Sequence, residues 1–538
     1  MSDARAALGA ALAAEREQRW AESFVNCRRA LADPALHPDA FNLFGRLCHT
    51  AGDAANAIAA QRYVLVLAPG HPRAAGDLHT ALGAVRAPAD ARAAFAAAVA
   101  IAPEIDCHHR EPLALRPFAC IDEVEALLLR AVEGDPSFAP ARAALGNVRA
   151  RRGRAAEALD AYRIAAMLDW ERADVHLALA MLFDVAHDEA NGARHRHEAL
   201  ARQRLYPACG TSAARSVLVL AAPGGPTANA PLDYCVDPDR VALHVYYLAR
   251  DEPPPALPAH DVVFNAIEQA ESSADAIARA TRFVAAQRKP VLNDPARLAG
   301  ISRSALPATL CGVAGISVPA ARRVERALLE AAAASNANAL DLGIPGPVLV
   351  RPVDTHRGDH QARVARPDEL RDYLARTPGD AFDVTSFVDY RSADGYYRKY
   401  RVIIVGGVPF PYHAAISDAW KVHYHSSRMD EHDWMRAEEE RFMRAPRAVF
   451  PAWESAFGAL AAAVGLDYAG VDCAANPDGS VLVFECGPGM LVHCHDDPAR
   501  FPYKHELVPR IFAALEALFD HTASRAPGLA TAPRQAVP

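Results

Sequence analysis

Residues 1–205 carry proline and tryptophan markers at an interval close to 34 residues. Successive intervals are 35, 34, 33 and 34 along Pro34, Pro69, Pro103, Pro136 and Trp170. A fixed period of this length indicates units of two short helices, and the apolar face of each unit is too small to be buried alone. Because neighbouring units must stack to bury these faces, the period predicts an all-helical solenoid.

Two longer segments repeat in the same phase. "GDAANAIAAQRYVLVLAP" begins at Gly52 and "GRAAEALDAYRIAAMLDW" at Gly153, and both combine a small-residue turn, an Ala-rich helix with an aromatic, and a terminal breaker. Leu-Gly pairs at 82–83 and 145–146 lie in preceding helices. The pattern resembles the tetratricopeptide repeat (TPR), which implies a surface for a peptide or protein partner. The alternative is an array that only supports or dimerises the rest of the chain.

After residue 210 the sequence changes to short β-like runs that alternate with helix-like stretches. A helical segment, "SADAIARATRFVAAQR", lies between the last two runs, and this alternation predicts a mainly parallel sheet. The turn "APGGPTANAP" lacks GxGxxG and its prolines would obstruct a helix start, which argues against a dinucleotide site. The β-like runs are "SVLVLAAPGG" from Ser216, "VALHVYYL" from Val241, "DVVFNAI" from Asp261 and "KPVLN" from Lys289.

Bulk composition narrows the setting of the protein. A net charge of −8 over 538 residues gives no general attraction to nucleic acid or to anionic membranes. The first twenty residues carry early acids and lack an apolar core, and no run is long enough to span a membrane. The ten cysteines contain no CxxC pair, so reduced thiols are expected. The sequence therefore predicts a cytoplasmic protein without nucleic-acid or membrane partners.

Two carboxylates lie in otherwise apolar runs that are joined by the turn "NPDG". Asp472 lies in "AGVDCAA" and Glu485 in "VLVFEC", and the alternation predicts a β-hairpin. A buried carboxylate is costly unless it is paired or binds metal. No cation is evident between the two acids in the sequence, so an Mg²⁺-type oxygen site is one interpretation. A carboxylate dyad that shares a proton is the second, and two strand ends in water are the third.

The order of motifs in residues 290–520 resembles the ATP-grasp ligases, the superfamily of glutathione synthetase and D-alanine–D-alanine ligase. That resemblance implies ATP-dependent joining of a carboxylate to an amine through an acyl phosphate, with small-molecule or peptide substrates. The motifs that carry it are "LNDP…SRSALPATL…VP", "VLVRPV", "DVTSFVDY", "RKYRVIIVGG" and "GVDCA…VFECGP".

Together the two resemblances imply a multidomain fold class. An all-α TPR solenoid (1–208) precedes an α/β pre-ATP-grasp domain (209–318) and an α+β ATP-grasp domain (319–522). Residues 523–538 are rich in Ala and Pro without an apolar period, which predicts a disordered tail. The sequence leaves the oligomeric state open and allows a homodimer.

The ATP-grasp resemblance also implies roles for individual residues. It implies that Asp472 and Glu485 bind Mg²⁺, as one ion or two, beside the ATP phosphates, and that Arg401 stabilises the transferring phosphoryl group and the acyl intermediate. It also implies that Arg351 contacts phosphate and that the linker Ser386, Phe387 and Val388 binds adenine through its backbone, with Asp389 as a candidate for the ribose. Lys421 is a candidate anchor for the substrate carboxylate.

Two positions depart from the family pattern. Gly487 stands where the family usually has a metal-binding Asn, and the segment "DTHRGDHQ" has only Gly358 where a Gly-rich phosphate loop is expected. His356, Arg357 and His360 in that segment either contact phosphate or form a solvated turn. These departures leave a TPR scaffold with a degenerate ATP-grasp domain as an alternative function. A small-molecule phosphotransferase is a third.

Five histidines and a cysteine near these motifs have several interpretations. The i, i+2 spacing of two histidine pairs suits a transition metal, but no CxxC or HxxxH companion supports it. Lining of an acceptor pocket and ordinary structural histidines are the alternatives, and Cys486 has no assignable partner as a nucleophile. The histidines are His413, His423, His425, His493 and His495.

Overall fold

The chain folds into two compact units. The computed structural model describes residues 2–68, 71–83, 88–102, 105, 120–208, 213–225, 227–335, 340–355 and 358–524. The first unit is Met1–Gly210 and the second is Thr211–Pro538. Helices build the first unit and a mixture of sheets and helices builds the second, so the predicted multidomain fold class is confirmed. The predicted disordered tail falls almost entirely on residues 525–538, which lie outside the described residues.

The first unit consists of short helices that pack mainly against their neighbours in sequence. Helix α4 also packs against α9, so contacts in this unit extend beyond successive hairpins. The helices are α1 (Ser2–Arg16), α2 (Trp20–Ala30), α3 (His37–Thr50), α4 (Ala54–Leu67), α5 (Ala74–Gly83), α6 (Pro88–Ile101), α7 (Ile121–Gly134), α8 (Ala139–Arg151), α9 (Ala155–Leu168), α10 (Ala173–Val185) and α11 (Glu189–Arg202), followed by the short strand β1 (Leu205–Tyr206).

The turns between helices repeat with the predicted period. Gly52 and Gly153 have φ of 79° and 72°, a left-handed conformation that glycine adopts at no steric cost. One period away, Gln18 and His187 adopt the same conformation at φ of 57° each. The turn geometry therefore confirms the helical repeat, although the markers Pro69 and Pro103 lie outside the described residues.

The second unit begins with a parallel sheet, as predicted. Strands β2 (Arg215–Ala221), β3 (Val241–Tyr247), β4 (Val262–Asn265) and β5 (Val291–Leu292) lie in the order β3-β2-β4-β5. Each neighbouring pair is parallel, and helix α12 (Ala274–Ala285) connects β4 to β5. Ligands of such sheets bind at the carboxyl ends of the strands.

A second, antiparallel sheet carries the residues predicted to contact phosphate and adenine. Its strand order is β7-β10-β8-β9, and buried side chains of two helices complete its core. The elements are β7 (Ala321–Glu325), β8 (Val348–Pro352), β9 (Ala362–Val364) and β10 (Ala381–Ser386), with α14 (Arg326–Ala333) and α15 (Pro367–Arg376); the short helix α13 (Leu306–Thr309) and strand β6 (Ile316–Ser317) precede them.

The third sheet carries the predicted catalytic and metal residues. Its order is β12-β11-β13-β14-β6, antiparallel except for the parallel pair β14–β6. Helix α19 packs on β11 of this sheet and on β2 and β4 of the parallel sheet, so it brings the two sheets together. The remaining elements are β11 (Tyr397–Val405), β12 (Val408–Ser417), β13 (Tyr468–Ala475), β14 (Val481–Gly487), α16 (Asp433–Arg444), α17 (Trp453–Val464), α18 (Pro502–Leu507) and α19 (Pro509–Ala523).

Within the described part of the chain, no helix is both long and apolar enough to cross a membrane.

Candidate active site

Four side chains form a line across the third sheet. His413, Arg401, Asp472 and Glu485 occupy directly opposed positions on β12, β11, β13 and β14. Opposed residues of antiparallel neighbours point to the same face of a sheet. The predicted hairpin therefore opposes the two acids, and the pairing of β11 with β13 places Asp472 beside the predicted catalytic arginine.

Asp472 is fully paired with cations. Arg401 donates from Nε to Asp472 Oδ1 at 2.7 Å and from Nη2 to Oδ2 at 3.0 Å, and Lys399 Nζ lies 2.9 Å from Oδ2. Asp472 is 1% exposed. Although burial raises its pKa, Arg401 and Lys399 hold that pKa well below the usual range.

The hairpin sequence alone gave no sign of the cations that pair with Asp472. They come from β11, which pairs with β13 on the side of Asp472 away from Glu485. Lys399 was not singled out from the sequence. Its i, i+2 spacing from Arg401 was the available signal, because residues at that spacing share one face of a strand.

Glu485 has its own cation, which the sequence did not predict as a site residue. Arg303 Nη2 lies 3.2 Å from Glu485 Oε2, and Arg303 Nη1 lies 3.6 Å from Asp383 Oδ2 on β10. Burial raises the pKa of Glu485, but the combined charges of Arg303, Lys399 and Arg351 outweigh it and the pKa is lowered. Arg303 thus connects the third sheet to the second.

Arg351 lies beside this group on β8. It opposes Asp383 in the sheet and is 8% exposed, and its Nε donates to Thr355 Oγ1 at 3.1 Å. Burial and the nearby charge of Arg303 lower the pKa of Arg351 to about 10. A weakly hydrated, buried guanidinium next to a turn suits the binding of an anion.

Lys421 lies against the turn that follows Arg351. A Cβ placed on Gly358, whose φ is 72°, would be 2.6 Å from Lys421 Cε. Only a glycine therefore allows the lysine to approach this turn so closely. Among the described residues Lys421 makes no hydrogen bond or ion pair. His356 and Arg357 lie outside the described residues.

The linker predicted to bind adenine begins at the end of β10. Ser386 is buried, and its Oγ has no hydrogen-bond partner among the described residues. Phe387 packs edge-on against Trp420 with the two ring centroids 5.9 Å apart. The guanidinium of Arg363 lies 4.2 Å from the Phe387 ring centroid. Val388 is partly buried next to Phe387.

Asp389, the candidate for the ribose, is exposed at the end of this linker. Its Oδ1 accepts from the Arg391 N–H at 3.2 Å and its Oδ2 from Arg391 Nη2 at 3.0 Å. These bonds orient the carboxylate toward its own turn.

Glu268 is a further acid at this site that the sequence analysis missed. It follows β4 at the carboxyl end of the parallel sheet and is only partly exposed. Its Oε2 accepts from the Gly489 N–H at 2.5 Å and its Oε1 from the Gln269 N–H at 2.8 Å. Burial raises the pKa of Glu268 to about 7 despite these two donors. Its position just after a buried strand was the only available sequence signal.

The remaining histidines and the cysteine were candidates for a metal centre, and the side chain of His425 lies outside the described residues. Within the described ranges, no group of three or more His, Cys, Asp or Glu side chains is arranged to hold a metal ion. His413 is 8% exposed, and burial lowers its pKa well below the usual value. The ring centroids of His493 and His495 lie 6.4 and 5.5 Å from the ring centroid of Tyr234. Burial raises the pKa of the Cys486 thiol, which disfavours the thiolate that a nucleophile needs.

No protein-family model matches the chain. No curated protein sequence matches it either.

Solved structures match each unit separately. The VanG D-Ala:D-Ser ligase from Enterococcus faecalis has 13% identity and a TM-score of 0.36, and covers 57% of this chain and 99% of its own. A RimK domain ATP-grasp protein from Sphaerobacter thermophilus has 16% identity and a TM-score of 0.33, and covers 56% of this chain and 99% of its own. MamA from Desulfovibrio magneticus RS-1 has 17% identity and a TM-score of 0.16, and covers 38% of this chain and 97% of its own.

Proposed function

We propose that the protein is an ATP-dependent carboxylate–amine ligase that acts through an acyl phosphate. The observation that supports this most is the set of opposed charges on the third sheet, where Arg401 and Lys399 flank Asp472 and Arg303 flanks Glu485. Phosphoryl transfer is catalysed mainly by fixed charges and by positioning, and this site offers oxygen donors and fixed cations together.

Asp472 and Glu485 fit Mg²⁺ by their donor chemistry. Mg²⁺ is usually held by one or two carboxylates together with substrate phosphates rather than by a cage of protein ligands. The two acids oppose each other and are ionised, while Gly487 adds no side-chain donor. When bound there, as one ion or two, Mg²⁺ would neutralise phosphate oxygens.

We assign the nucleotide to the region where the second and third sheets meet at Arg303. Arg351 and Lys421 would contact its phosphates, because both cations lie at the turn after β8. Lys421 at this turn is better placed for phosphate than for the substrate carboxylate. The adenine would lie against the linker Ser386, Phe387 and Val388, with Asp389 at the ribose.

Arg401 would stabilise the transferring phosphoryl group. Its Nε and Nη2 are held by Asp472, whereas among the residues that the structure describes Nη1 has only a long 3.5 Å contact with the Leu491 carbonyl. A substrate carboxylate attacks the γ-phosphate to give an acyl phosphate and ADP, and an amine then displaces phosphate. A guanidinium stays charged throughout and can grip two oxygens at once.

The helical repeat unit would recruit the substrate or a protein partner. Stacked helical hairpins expose a long row of equivalent side chains, which suits an extended peptide. The carboxylate and the amine would then be small molecules or parts of a peptide. Self-association through this unit is the alternative use of the same surface.

Three matched substitutions test the proposed activity. Asp472→Asn and Glu485→Gln remove the ionised oxygens, and Asp478→Asn makes the same chemical change on the exposed turn of the same hairpin. We expect wild type and Asp478→Asn to release ADP from Mg-ATP with an amino-acid carboxylate, and the other two variants to lose at least about 10²-fold, as expected for loss of a transition-state contact.

Two further measurements separate the alternatives. Calorimetry that detects no binding of ATP by the wild type would eliminate the ligase and leave the scaffold function. Hydroxylamine converts an acyl phosphate to a stable hydroxamate, so ADP release without hydroxamate formation would favour the phosphotransferase.

A further inference from the structure

Glu268 reaches from the parallel sheet to the acid-bearing strand of the third sheet. Its backbone N–H donates to the Ala228 carbonyl at 2.9 Å, which fixes the start of the side chain. Its carboxylate lies over the end of β14, where Oε2 accepts from the Gly489 N–H. One residue thus connects the first and third sheets at the proposed site.

Two glycines leave space for this carboxylate. A Cβ on Gly487 would lie 2.5 Å from both Glu268 oxygens, and a Cβ on Gly489 would lie 2.7 Å from Oε2. Any side chain at position 487 would occupy the place that the Glu268 carboxylate takes. Gly487 follows Glu485 by two residues on the same strand face, about 7 Å away, so Glu268 lies alongside Glu485.

Glu268 differs from the other acids of the site because no described cation forms an ion pair with it. The charge of Arg303, beyond ion-pair distance, lowers the pKa of Glu268 less than burial raises it, and the charge of Glu485 raises it further. Asp472 is paired with Arg401 and Lys399, and Arg303 lies near Glu485 and Asp383. Glu268 receives only the two backbone N–H groups among the residues described by the structure. A largely enclosed carboxylate without a counter-ion is costly, and a positively charged ligand would relieve that cost.

A cationic group that reacts at this site is the amine of the acceptor. At neutral pH an alkyl amine is protonated, and its nitrogen lone pair becomes available only after a proton leaves. We propose that Glu268 binds the ammonium group of the acceptor substrate and takes up its proton during ligation. This inference rests on the proposed ligase function.

The step balances with Glu268 as proton acceptor. The amine nitrogen attacks the acyl phosphate carbon, so a C–N bond forms and the C–O bond to phosphate breaks. Inorganic phosphate leaves with the electron pair, and the proton lost by nitrogen passes to the Glu268 carboxylate. The raised pKa of Glu268 suits a group that must bind and then release a proton near neutral pH.

The test compares two nucleophiles on Glu268→Gln. Wild type, Glu268→Gln and the control Asp478→Asn are each given Mg-ATP and the twenty amino acids singly as carboxylates. One series receives hydroxylamine, which is largely unprotonated at pH 7. The other receives ammonium chloride or a second amino acid, both of which must lose a proton. ATP affinity is measured in parallel by calorimetry.

We expect Glu268→Gln to form hydroxamate at the wild-type rate and to bind ATP normally, while its transfer to protonated amines falls by about 10²-fold or more. An equal loss in both series, or weaker ATP binding, would show a structural role and overturn the inference. No loss in either series would also overturn it, as would a wild type that uses hydroxylamine but no protonated amine. A wild type that forms no hydroxamate at all would instead contradict the ligase proposal itself.

Discussion

At the scale of single residues, the space beside Gly487 is filled by the side chain of another residue. Gly487 lacks a side chain because the Glu268 carboxylate, from a distant part of the sequence, already fills that space. The departure from the family pattern at this position is therefore a consequence of packing. It does not by itself indicate a degenerate site.

This packing predicts the effect of Gly487→Ala. The new methyl group would meet both Glu268 oxygens at 2.5 Å, so we expect a loss of about 1–3 kcal/mol in the free energy of unfolding. Urea denaturation of the purified protein measures this loss. When Glu268→Ala is already present, adding Gly487→Ala should cost much less stability than it does in the wild type. Additive losses for the two changes would contradict the explanation.

At the scale of elements, glycines in the helices of the first unit differ in what surrounds them. Gly146 on α8 packs against the ring of Tyr162 on α9, which is fully buried. Gly9 on α1 is exposed, and a Cβ there would meet nothing within 4 Å. The two glycines therefore have opposite roles although both lie in helix interiors.

Alanine substitutions should separate these roles. A Cβ on Gly146 would lie 2.8 Å from the Tyr162 ring, so we expect Gly146→Ala to destabilise the helical unit by about 1–3 kcal/mol. Gly9→Ala adds helix propensity without a clash and should stabilise it by about 0.5–1 kcal/mol. Chemical denaturation followed by far-UV circular dichroism measures both. The same sign for both variants would contradict the packing assignment.

A second pair of helices contains two buried histidines in contact. His176 on α10 and His195 on α11 have Nδ1 atoms 2.8 Å apart, and His176 Nε2 lies 3.0 Å from the Trp170 carbonyl. His176 must therefore carry its hydrogen on Nε2, so its Nδ1 accepts a hydrogen bond from His195 Nδ1. His176 must be neutral to accept this bond, whereas His195 needs only a hydrogen on Nδ1. Burial lowers the pKa of His176, and burial and the neighbouring His176 lower the pKa of His195 to about 3.

This pair predicts acid sensitivity of the helical unit. Unfolded histidine binds a proton below about pH 6.5, whereas folded His195 does not until about pH 3, so stability falls as pH decreases between these values. From pH 7.5 to 5.0 we expect His195 to account for about 2 kcal/mol of lost stability. Urea denaturation at both pH values should show this loss in wild type and in His197→Asn, an exposed change on the same helix. His195→Asn should show a smaller loss, and an equal loss in all three proteins would refute the assignment.

At the scale of the whole molecule, each of the two compact units has hydrophobic clusters of its own. Clusters of described residues from α6 to α10 lie within the first unit, and the cluster that covers the second sheet lies within the second unit. Separate cores favour separate unfolding transitions. The proposed recruitment and ligation functions would accordingly reside in different units.

Scanning calorimetry of the full chain should resolve two transitions. Gly146→Ala should lower the transition temperature of the helical unit. Mg-ATP should raise the transition temperature of the other unit, because at a hundredfold excess over its Kd it stabilises that unit by about 2.7 kcal/mol. Asp472→Asn should abolish the nucleotide shift without moving the helical transition. A single transition that both changes displace together would contradict independent units.

The sequence by itself determined the features that depend on local periodicity. The 34-residue period predicted the repeated helices, alternating runs predicted the parallel sheet, and the turn at Asn476–Gly479 predicted the hairpin that opposes Asp472 and Glu485. These succeed because helix and strand periods and turn residues are properties of neighbouring positions. Only the tertiary structure decided which charges meet. Lys399 and Arg303 neutralise the acids, and Glu268 fills the volume at Gly487, because pairing between distant strands and packing between separate sheets place them there.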